Sequence, residues 1–298
     1  MSRSYRDLFV SAADGLRLYA RDYDPETGDA LPVICLSGLA RNSEDFHELA
    51  DALSSDLSKP RRVLSLDYRG RGRSDWDPDW HHYDIKVELD DCLHVLAAVG
   101  IEKAIVVSTS RGGLIAMALC AAHPELIAGV VMNDVGPVLD LKGLLRIRSY
   151  VGKLPTPQTM QEGAQILQRI SGEQFSDFTE EQWWRMARGT WRETDEGLVL
   201  SYDVNLMKTL EALDLEAPLP DLWPLFDNLK SVPVLVIRGA NSDLLSDETL
   251  RLMGERHPGL TAITVPGQGH APSLDGHLVQ AIRDFVARDF VARIEDRT

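Results

Sequence analysis

The stretch Val106-Val107-Ser108-Thr109-Ser110-Arg111-Gly112-Gly113 joins an apolar segment to one that favours a helix. Residues 104–107 have the composition of a buried strand and residues 114–122 that of a helix, so Ser110 falls on a sharp turn between them. Such a turn leaves little space, which suits the two glycines that end the stretch, whereas Ser108 stands where the pattern G-x-S-x-G has glycine. The stretch predicts a nucleophile elbow, which exposes a reactive serine, or else a tight strand-to-helix connection with a polar cap.

A carboxylate and a histidine follow in loops that leave two further predicted strands. Residues 234–238 indicate a buried strand, and the loop after it carries Asp243. Residues 261–265 indicate another strand, followed by a glycine-rich loop that carries His270. A serine hydroxyl needs a base to accept its proton and a carboxylate to orient that base. The order Ser110, Asp243, His270 differs from both orders found in the two common serine protease folds.

Two further loops carry motifs at predicted strand ends. The first is Leu36-Ser37-Gly38-Leu39, and the second is Asp67-Tyr68-Arg69-Gly70-Arg71-Gly72-Arg73-Ser74. Together with the serine, aspartate, histidine order, they resemble the α/β-hydrolase family along nearly the whole chain. The second loop matches the family's D-x-R-G-x-G-x-S pattern closely. The first has Ser37 where the family often has histidine, so the outer wall of the oxyanion site is expected to differ.

The alternation of strands and helices agrees with the fold that this resemblance implies. Residues 8–11 and 16–21, joined by Ala13-Asp14-Gly15, predict a β-hairpin. Short apolar runs predict strands buried on both faces of a sheet. These runs are residues 33–36, 63–66, 104–107, 130–133, 234–238 and 261–265. We expect an α/β-hydrolase fold, with a mostly parallel eight-stranded sheet flanked by helices and a helical cap insertion.

The alternation stops in residues 136–229, where the sequence is helical and rich in tryptophan. The resemblance places a cap here, so this segment is predicted to be a helical lid, and residues 1–135 and 230–298 the core domain. An apolar lid over a serine would exclude water and hold an acyl or alcohol group. Trp183 and Trp184 are therefore candidate substrate-binding residues; the alternative for each is a place in the lid's own core.

The resemblance implies acyl transfer through a covalent intermediate. His270, held by Asp243, would accept the proton of Ser110 as this serine attacks a carbonyl carbon. The backbone N–H groups of Leu39 and Arg111 would form the oxyanion hole for the tetrahedral intermediate. This chemistry requires no metal and no organic cofactor.

Some of these assignments have competitors. Asp134, which follows the predicted strand 130–133, is an alternative to Asp243, because some members of the fold carry the acid there; otherwise Asp134 caps its loop. His277 falls in a predicted helix, so it is a weaker candidate for the base. Ser37 is a candidate substrate-binding residue that would add a hydroxyl donor near the oxyanion, or equally a structural hydroxyl at a strand end.

The leading functional prediction is a serine hydrolase that cleaves carboxylic esters of small to medium size. A second interpretation keeps the same triad but applies it to lactones or to carbon–carbon bonds. A third is a non-catalytic ligand receptor on the same scaffold. In each case the partner is a small molecule, and the sequence leaves open whether the chain is a monomer or a homo-oligomer.

The composition limits the partners and the compartment. The 298 residues include 31 basic and 46 acidic ones, a net charge of −15, which argues against nucleic acid or an anionic membrane as partner. The chain has no run of eighteen apolar residues and no apolar segment after its basic start, so we expect no membrane span, no signal peptide and a cytoplasmic location. Cys35, Cys92 and Cys120 lack metal-ligand spacing and are predicted to be free structural thiols.

A short repeat stands near the carboxyl end of the sequence. Residues 283–287 and 288–292 both read Arg-Asp-Phe-Val-Ala. A five-residue period does not keep apolar residues on one helix face, so the second copy is expected either to fray or to reach a partner subunit. A duplication without function is an equal alternative.

Overall fold

The computed structural model describes residues 4–24 and 30–288. The strands of the first half are β1 (Arg6–Ser11), β2 (Arg17–Tyr23), β3 (Val33–Leu36), β4 (Val63–Asp67), β5 (Ala104–Thr109) and β6 (Ile127–Asn133). The helices of this half are α1 (His47–Ser54), α2 (Ile85–Ala98) and α3 (Arg111–Ala122), with short 3-10 helices at Ser43–Phe46, Trp80–His82 and Pro124–Leu126.

The elements of the second half follow β6. The first group comprises α4 (Leu141–Tyr150), α5 (Met160–Ser171), α6 (Glu180–Thr190), β7 (Trp191–Thr194), β8 (Gly197–Leu200), α7 (Leu206–Glu211) and α8 (Trp223–Asp227). After a 3-10 helix at Asn228–Ser231 come β9 (Val234–Gly239), α9 (Asp247–Arg256), β10 (Leu260–Val265) and α10 (His277–Val286).

Eight strands form one sheet in the order β1-β2-β4-β3-β5-β6-β9-β10. β1 pairs with β2, and β2 with β4, in antiparallel register, and each later pair is parallel. The predicted fold class is therefore confirmed, because the sheet is mostly parallel and helices connect its parallel strands. The loops at the carboxyl ends of these parallel strands meet at one edge of the sheet, which is where such folds bind ligands.

The predicted hairpin at the antiparallel edge is also confirmed. Ser11 of β1 pairs with Arg17 of β2, and the turn between them contains Gly15 at φ +87°. Glycine adopts this left-handed conformation without the steric cost that a side chain would add.

The sheet separates two apolar layers. In β5, Val106 packs into one layer with Ile115 of α3, whereas the adjacent Val107 packs into the other layer with Leu49 of α1. All four side chains are fully buried. Burial of each such side chain contributes about 1.5–3 kcal/mol, so β5 and its neighbours are a rigid support for the loops at their ends.

The segment between β6 and β9 packs largely around apolar clusters of its own. One cluster contains Phe175, Trp183 and Trp191, and another contains Leu144 and Leu206. The sequence predicts a helical segment. The structure differs, because β7 and β8 form an antiparallel hairpin within it. The turn of this hairpin ends at Gly197, whose φ of +115° provides the reversal.

α8 packs outside the cap to which its sequence position assigns it. The predicted cap runs to residue 229, yet Phe226 and Leu229 are fully buried in the apolar layer that α3 covers, not in a cap cluster. The packing therefore groups α8 with the core domain. For the cap described below we use residues 136–211, which end with α7.

The remaining expectations concern cysteines, membranes and the repeat. Cys35, Cys92 and Cys120 are free and buried, as predicted. Within the described residues, no helix combines the length and the apolar character that a membrane crossing requires. The second copy of the repeat lies almost entirely outside the described residues, since the description ends at residue 288.

Candidate active site

Ser110 occupies the turn between β5 and α3. Its backbone has φ 52° and ψ −116°, a conformation that residues with side chains rarely adopt. Two hydrogen bonds hold the turn: the Ser110 N–H donates to the Asn133 carbonyl at 3.0 Å, and the Gly113 N–H donates to the Ser110 carbonyl at 2.8 Å. This strained strand-to-helix turn is the geometry predicted for a nucleophile elbow.

The residues around the turn explain its sequence. A Cβ atom at Gly112 would collide with the carbonyl oxygen of Leu36, and one at Gly113 would collide with the side chain of Val135. Ser108 replaces the usual first glycine, but its fully buried hydroxyl donates to the Val131 carbonyl at 2.8 Å. The departure from G-x-S-x-G is therefore accommodated, because the added hydroxyl is hydrogen-bonded.

His270 joins Ser110 to a buried aspartate. The His270 Nε2 atom lies 2.9 Å from the Ser110 Oγ atom. The His270 Nδ1 atom lies 2.8 Å from the Asp134 Oδ2 atom. The loops after β5, β6 and β10 thus bring a hydroxyl, a carboxylate and an imidazole into one hydrogen-bonded chain. In such an arrangement a carboxylate fixes the histidine tautomer and leaves Nε2 able to accept the serine proton.

Two further hydrogen bonds hold the Asp134 carboxylate in place. Its carboxylate is fully buried, accepts a hydrogen bond from the Gly239 N–H at 2.8 Å, and accepts another from the Ser242 hydroxyl at 2.5 Å. Its backbone adopts φ 56°, which aspartate tolerates better than most residues. The Asn133-Asp134 pair at the very end of a buried strand was the sequence signal for this site.

Among the described residues, His270 forms its hydrogen bond with Asp134 and not with Asp243, and this corrects the leading sequence prediction. The Asp243 carboxylate instead accepts two hydrogen bonds from Arg146 of α4, at 2.6 Å from Nε and 2.9 Å from Nη2. Burial raises the pKa of Asp243, but the hydrogen bonds and charge of Arg146, together with the nearby His270, hold the pKa below its usual range. The sequence order could not reveal this competition, because Arg146 lies far away in the predicted cap.

The proposed oxyanion residues lie beside Ser110. Leu39 and Ser110 line the same cavity, and a Cβ atom at Gly38 would be 3.7 Å from the Ser110 Cβ atom. Arg111 is the first residue of α3, so its N–H belongs to the positive end of the helix dipole. The Arg111 side chain turns away, since its Nε donates to Glu88 at 2.6 Å.

A cavity of about 360 Å³ lies over Ser110 and His270. Its apolar lining comes mostly from the cap and includes Leu154, Leu167, Ile170, Phe175, Phe178 and Trp184. Of the two candidate tryptophans, Trp184 lines the cavity, whereas Trp183 packs with Phe175 and Phe178 in the cap cluster. Among the residues that the structure describes, Ser37 does not line the cavity. It is buried, and its hydroxyl donates to the Arg41 carbonyl at 3.1 Å.

Polar contacts beside the cavity hold the cap against the core. Arg41, from the loop after β3, donates through Nη1 to the Thr190 hydroxyl of α6 at 2.7 Å. Arg185 of α6 lies 3.2 Å from the Asp275 carboxylate, in the segment between β10 and α10. No local sequence signal marks these arginines. Thr190 lies more than a hundred residues from Arg41, and Asp275 lies in a different element from Arg185.

One group of side chains in the described residues has the spacing of metal ligands. Asp14, Asp77 and His82 offer ligand atoms within 4.8 Å of one another. However, the Nη1 atom of Arg69 lies 2.8 Å from the Asp14 carboxylate and 2.6 Å from that of Asp77. Because the guanidinium of Arg69 already pairs with both acids, we describe the group as an ion-pair cluster.

The chain belongs to the α/β-hydrolase family and is a hydrolase. The family model described as alpha/beta hydrolase fold matches residues 32–277. A 3-hydroxybutyrate-oligomer hydrolase of Cupriavidus necator is 34% identical over 92% of this chain and 94% of its own length. A 2-(acetamidomethylene)succinate hydrolase of Mesorhizobium japonicum is 24% identical over 82% of this chain and 83% of its own length.

A solved structure gives the same fold. The crystal structure of an alpha/beta hydrolase from Novosphingobium aromaticivorans matches with a TM-score of 0.89 and 40% identity, over 97% of this chain and 100% of that one. The resemblance stated from the loop motifs is therefore confirmed at the level of the family.

Proposed function

We propose that the protein is a serine esterase in which Ser110 is the nucleophile, His270 the base and Asp134 the residue that orients the base. The observation that carries this proposal is the hydrogen-bonded chain from Ser110 through His270 to Asp134, which borders a cavity beneath the cap. Nucleophile and base within hydrogen-bond reach, with a third group holding the base, is the arrangement that activates a serine.

In the acylation step, the Ser110 oxygen attacks the ester carbonyl carbon and its proton passes to His270 Nε2. Asp134 stabilises the imidazolium that forms. The tetrahedral intermediate collapses when the carbon–oxygen bond to the leaving alcohol breaks, and the alkoxide receives the proton from His270. In deacylation, His270 takes a proton from water, the hydroxide attacks the acyl carbon, and Ser110 leaves and recovers its proton. The products are one carboxylic acid and one alcohol.

The backbone N–H groups of Leu39 and Arg111 would stabilise the oxyanion in both steps. Donors at about 2.7–3.1 Å from the developing charge act strongly in a site that excludes water. The start of α3 at Arg111 adds the partial positive charge of a helix N-terminus.

The cavity and one relative narrow the substrate class. Apolar side chains of the cap suit short or medium acyl chains, and the volume of about 360 Å³ excludes large bilayer lipids held in full. The relative from Cupriavidus necator, which aligns along nearly the whole chain, is named for hydrolysis of 3-hydroxybutyrate oligomers. We propose short oligoesters of hydroxy acids as the first substrates to test. Lactones and carbon–carbon bonds remain the alternative for the same triad.

The test is hydrolysis of p-nitrophenyl acetate, butyrate and octanoate, and of 3-hydroxybutyrate dimers and trimers. We expect turnover by the native chain and a loss of roughly 10⁴-fold or more in Ser110→Ala. Ser65→Ala is the matched control, because it removes the hydroxyl of a buried serine that donates to the Ser43 carbonyl at 3.3 Å and does not line the cavity as described. An inactive native chain that also fails to react with a fluorophosphonate probe would reject the esterase proposal.

A further inference from the structure

A buried cluster of three charged side chains lies beneath the nucleophile elbow. Glu88 of α2, Arg71 from the loop after β4, and Arg111 at the start of α3 meet there. The Arg71 Nη1 atom lies 2.6 Å from Glu88 Oε1, and the Arg111 Nε donates to Glu88 Oε2 at 2.6 Å. The side chains of Arg71 and Glu88 are both 0% exposed, so one buried carboxylate pairs with two guanidiniums.

Each arginine of this cluster is connected to one residue of the proposed oxyanion hole. The Arg71 Nε donates to the carbonyl of Leu39 at 2.8 Å. This bond holds the peptide group that follows Leu39, and it therefore restrains the loop that carries the Leu39 N–H. Arg111 carries the second N–H itself, and its side chain is held by Glu88 and by the Tyr83 carbonyl, at 2.9 Å from Nη2. Glu88 thus contacts both arginines.

The energetic cost of this cluster argues for a role beyond stability. Charges removed from water are costly, and apolar side chains of similar volume often stabilise a fold as well or better. Burial lowers the pKa of the Arg71 guanidinium, and the nearby Glu88 opposes that effect without reversing it. Stability alone therefore does not account for these charges, and their contacts with the loop of Leu39 and with Arg111 point to the neighbouring site.

We propose that Glu88 is a positioning residue for the oxyanion hole. Its carboxylate holds Arg71 and Arg111 so that the N–H groups of Leu39 and Arg111 converge on the same oxygen atom. This inference rests on the proposed function, because it concerns the oxyanion of an ester reaction. It assigns Glu88 no contact with substrate.

The test compares Glu88→Gln with Asp91→Asn. Asp91 lies three residues further along α2, is also buried, and accepts two hydrogen bonds of 2.7 Å from Arg69, in the same loop as Arg71. Both substitutions replace a buried carboxylate by its amide, so both should lower stability. Only the glutamine at position 88 should disturb the oxyanion donors, since its NH₂ group faces a guanidinium and displaces it.

For Glu88→Gln we expect kcat and kcat/KM to fall together by about tenfold to a hundredfold, with KM changed less than about twofold. Asp91→Asn should keep kcat within about twofold of the native value. A trifluoromethyl ketone, which forms an oxyanion on the serine, should lose affinity in Glu88→Gln by the same factor as kcat/KM falls. Ketone affinity is the measurement that a merely structural role would leave unchanged.

The outcomes separate this inference from the proposed function. Equal kcat values in folded Glu88→Gln and Asp91→Asn, with hydrolysis still dependent on Ser110, would overturn the positioning role alone. A native chain without esterase activity or probe reactivity would overturn both. Should Glu88→Gln not fold, Arg71→Lys is the second variant, because lysine lacks the separate Nε and Nη1 donors that reach the Leu39 carbonyl and Glu88. We expect the same loss of kcat there, and a native kcat would reject the proposal.

Discussion

The loops after β6 and β9 form an informative pair, because they leave adjacent parallel strands and each carries an aspartate. Asp134, directly after β6, is fully buried and contacts His270 at 2.8 Å. Asp243, four residues beyond β9, is nearly as buried but pairs with Arg146. Two chemically identical side chains at the same edge of the sheet therefore face different partners.

The difference shows that the partner, and not the chain order, decides the role of each aspartate. Gly143 is one reason that Arg146 reaches Asp243. A Cβ atom at position 143 would lie 2.7 Å from the Asp243 carbonyl oxygen and 2.8 Å from the Leu244 Cα atom. α4 thus approaches the loop closely and brings a guanidinium to the carboxylate, while the loop after β6 is left to orient the histidine.

The largest expected effect is the loss of catalysis in Asp134→Asn. Removal of this carboxylate should favour the wrong tautomer of His270, and kcat for p-nitrophenyl butyrate should fall by about 10³–10⁴-fold. Asp243→Asn, the matched change in the other loop, should lower kcat by less than about tenfold. A greater loss in Asp243→Asn than in Asp134→Asn would reverse the assignment of the two aspartates.

The second prediction concerns the approach of α4 to the loop after β9. Gly143→Ala forces a methyl group against the Asp243 and Leu244 backbone, so we expect it to lower the free energy of unfolding by about 1–3 kcal/mol. Gly254→Ala in α9 is the control, because a Cβ atom there meets no atom within 4 Å. That control should gain about 0.4–1 kcal/mol.

Urea denaturation of both glycine variants measures these changes. If Gly143→Ala were as stable as the native chain, close approach of the helix would not be what brings Arg146 to Asp243.

A smaller effect is expected from Ser242→Ala. The Ser242 hydroxyl donates to Asp134 at 2.5 Å and accepts from the N–H of Leu245 at 3.2 Å. Its loss should leave His270 less firmly oriented and lower kcat by about tenfold, close to 1.4 kcal/mol. Steady-state kinetics at saturating substrate would measure the change. An unchanged kcat would mean that Gly239 and His270 alone hold the Asp134 carboxylate.

The smallest expected effect is a pH-dependent difference in stability. The pKa of Asp243 is below its usual range in the folded chain, because Arg146 outweighs the opposing effect of burial. The ion pair therefore stabilises the fold above the unfolded-state pKa of about 3.9, and this contribution is lost as pH falls through the folded-state pKa. Asp243→Asn should be less stable than the native chain near pH 7, and the difference should shrink below about pH 4.

Urea titrations at several pH values would measure both free energies of unfolding. A difference that grew in acid would contradict the assignment of the ion pair.

The sequence was a reliable guide to the core and to two of the three proposed catalytic residues. The predicted buried strands lie within a few residues of the observed ones, because short apolar runs bounded by turn residues are typical of strands buried in a sheet. Ser110 and His270 could be chosen from local signals, an elbow and a glycine-rich loop. Glu88 had no such signal, because a glutamate on an amphipathic helix looks like a solvated residue until its partners are known.

The sequence by itself determined the order of strands and helices, the sharp turn at Ser110 and membership of the α/β-hydrolase family. These features are local, since apolar periodicity and glycine positions act over a few neighbouring residues. Only the tertiary structure decided that Asp134 contacts His270, that Arg146 pairs with Asp243, and that Glu88 pairs with both Arg71 and Arg111. Each of these contacts is a competition among charged groups far apart in the chain, and distance along the sequence carries no information about which pair will meet inside the fold.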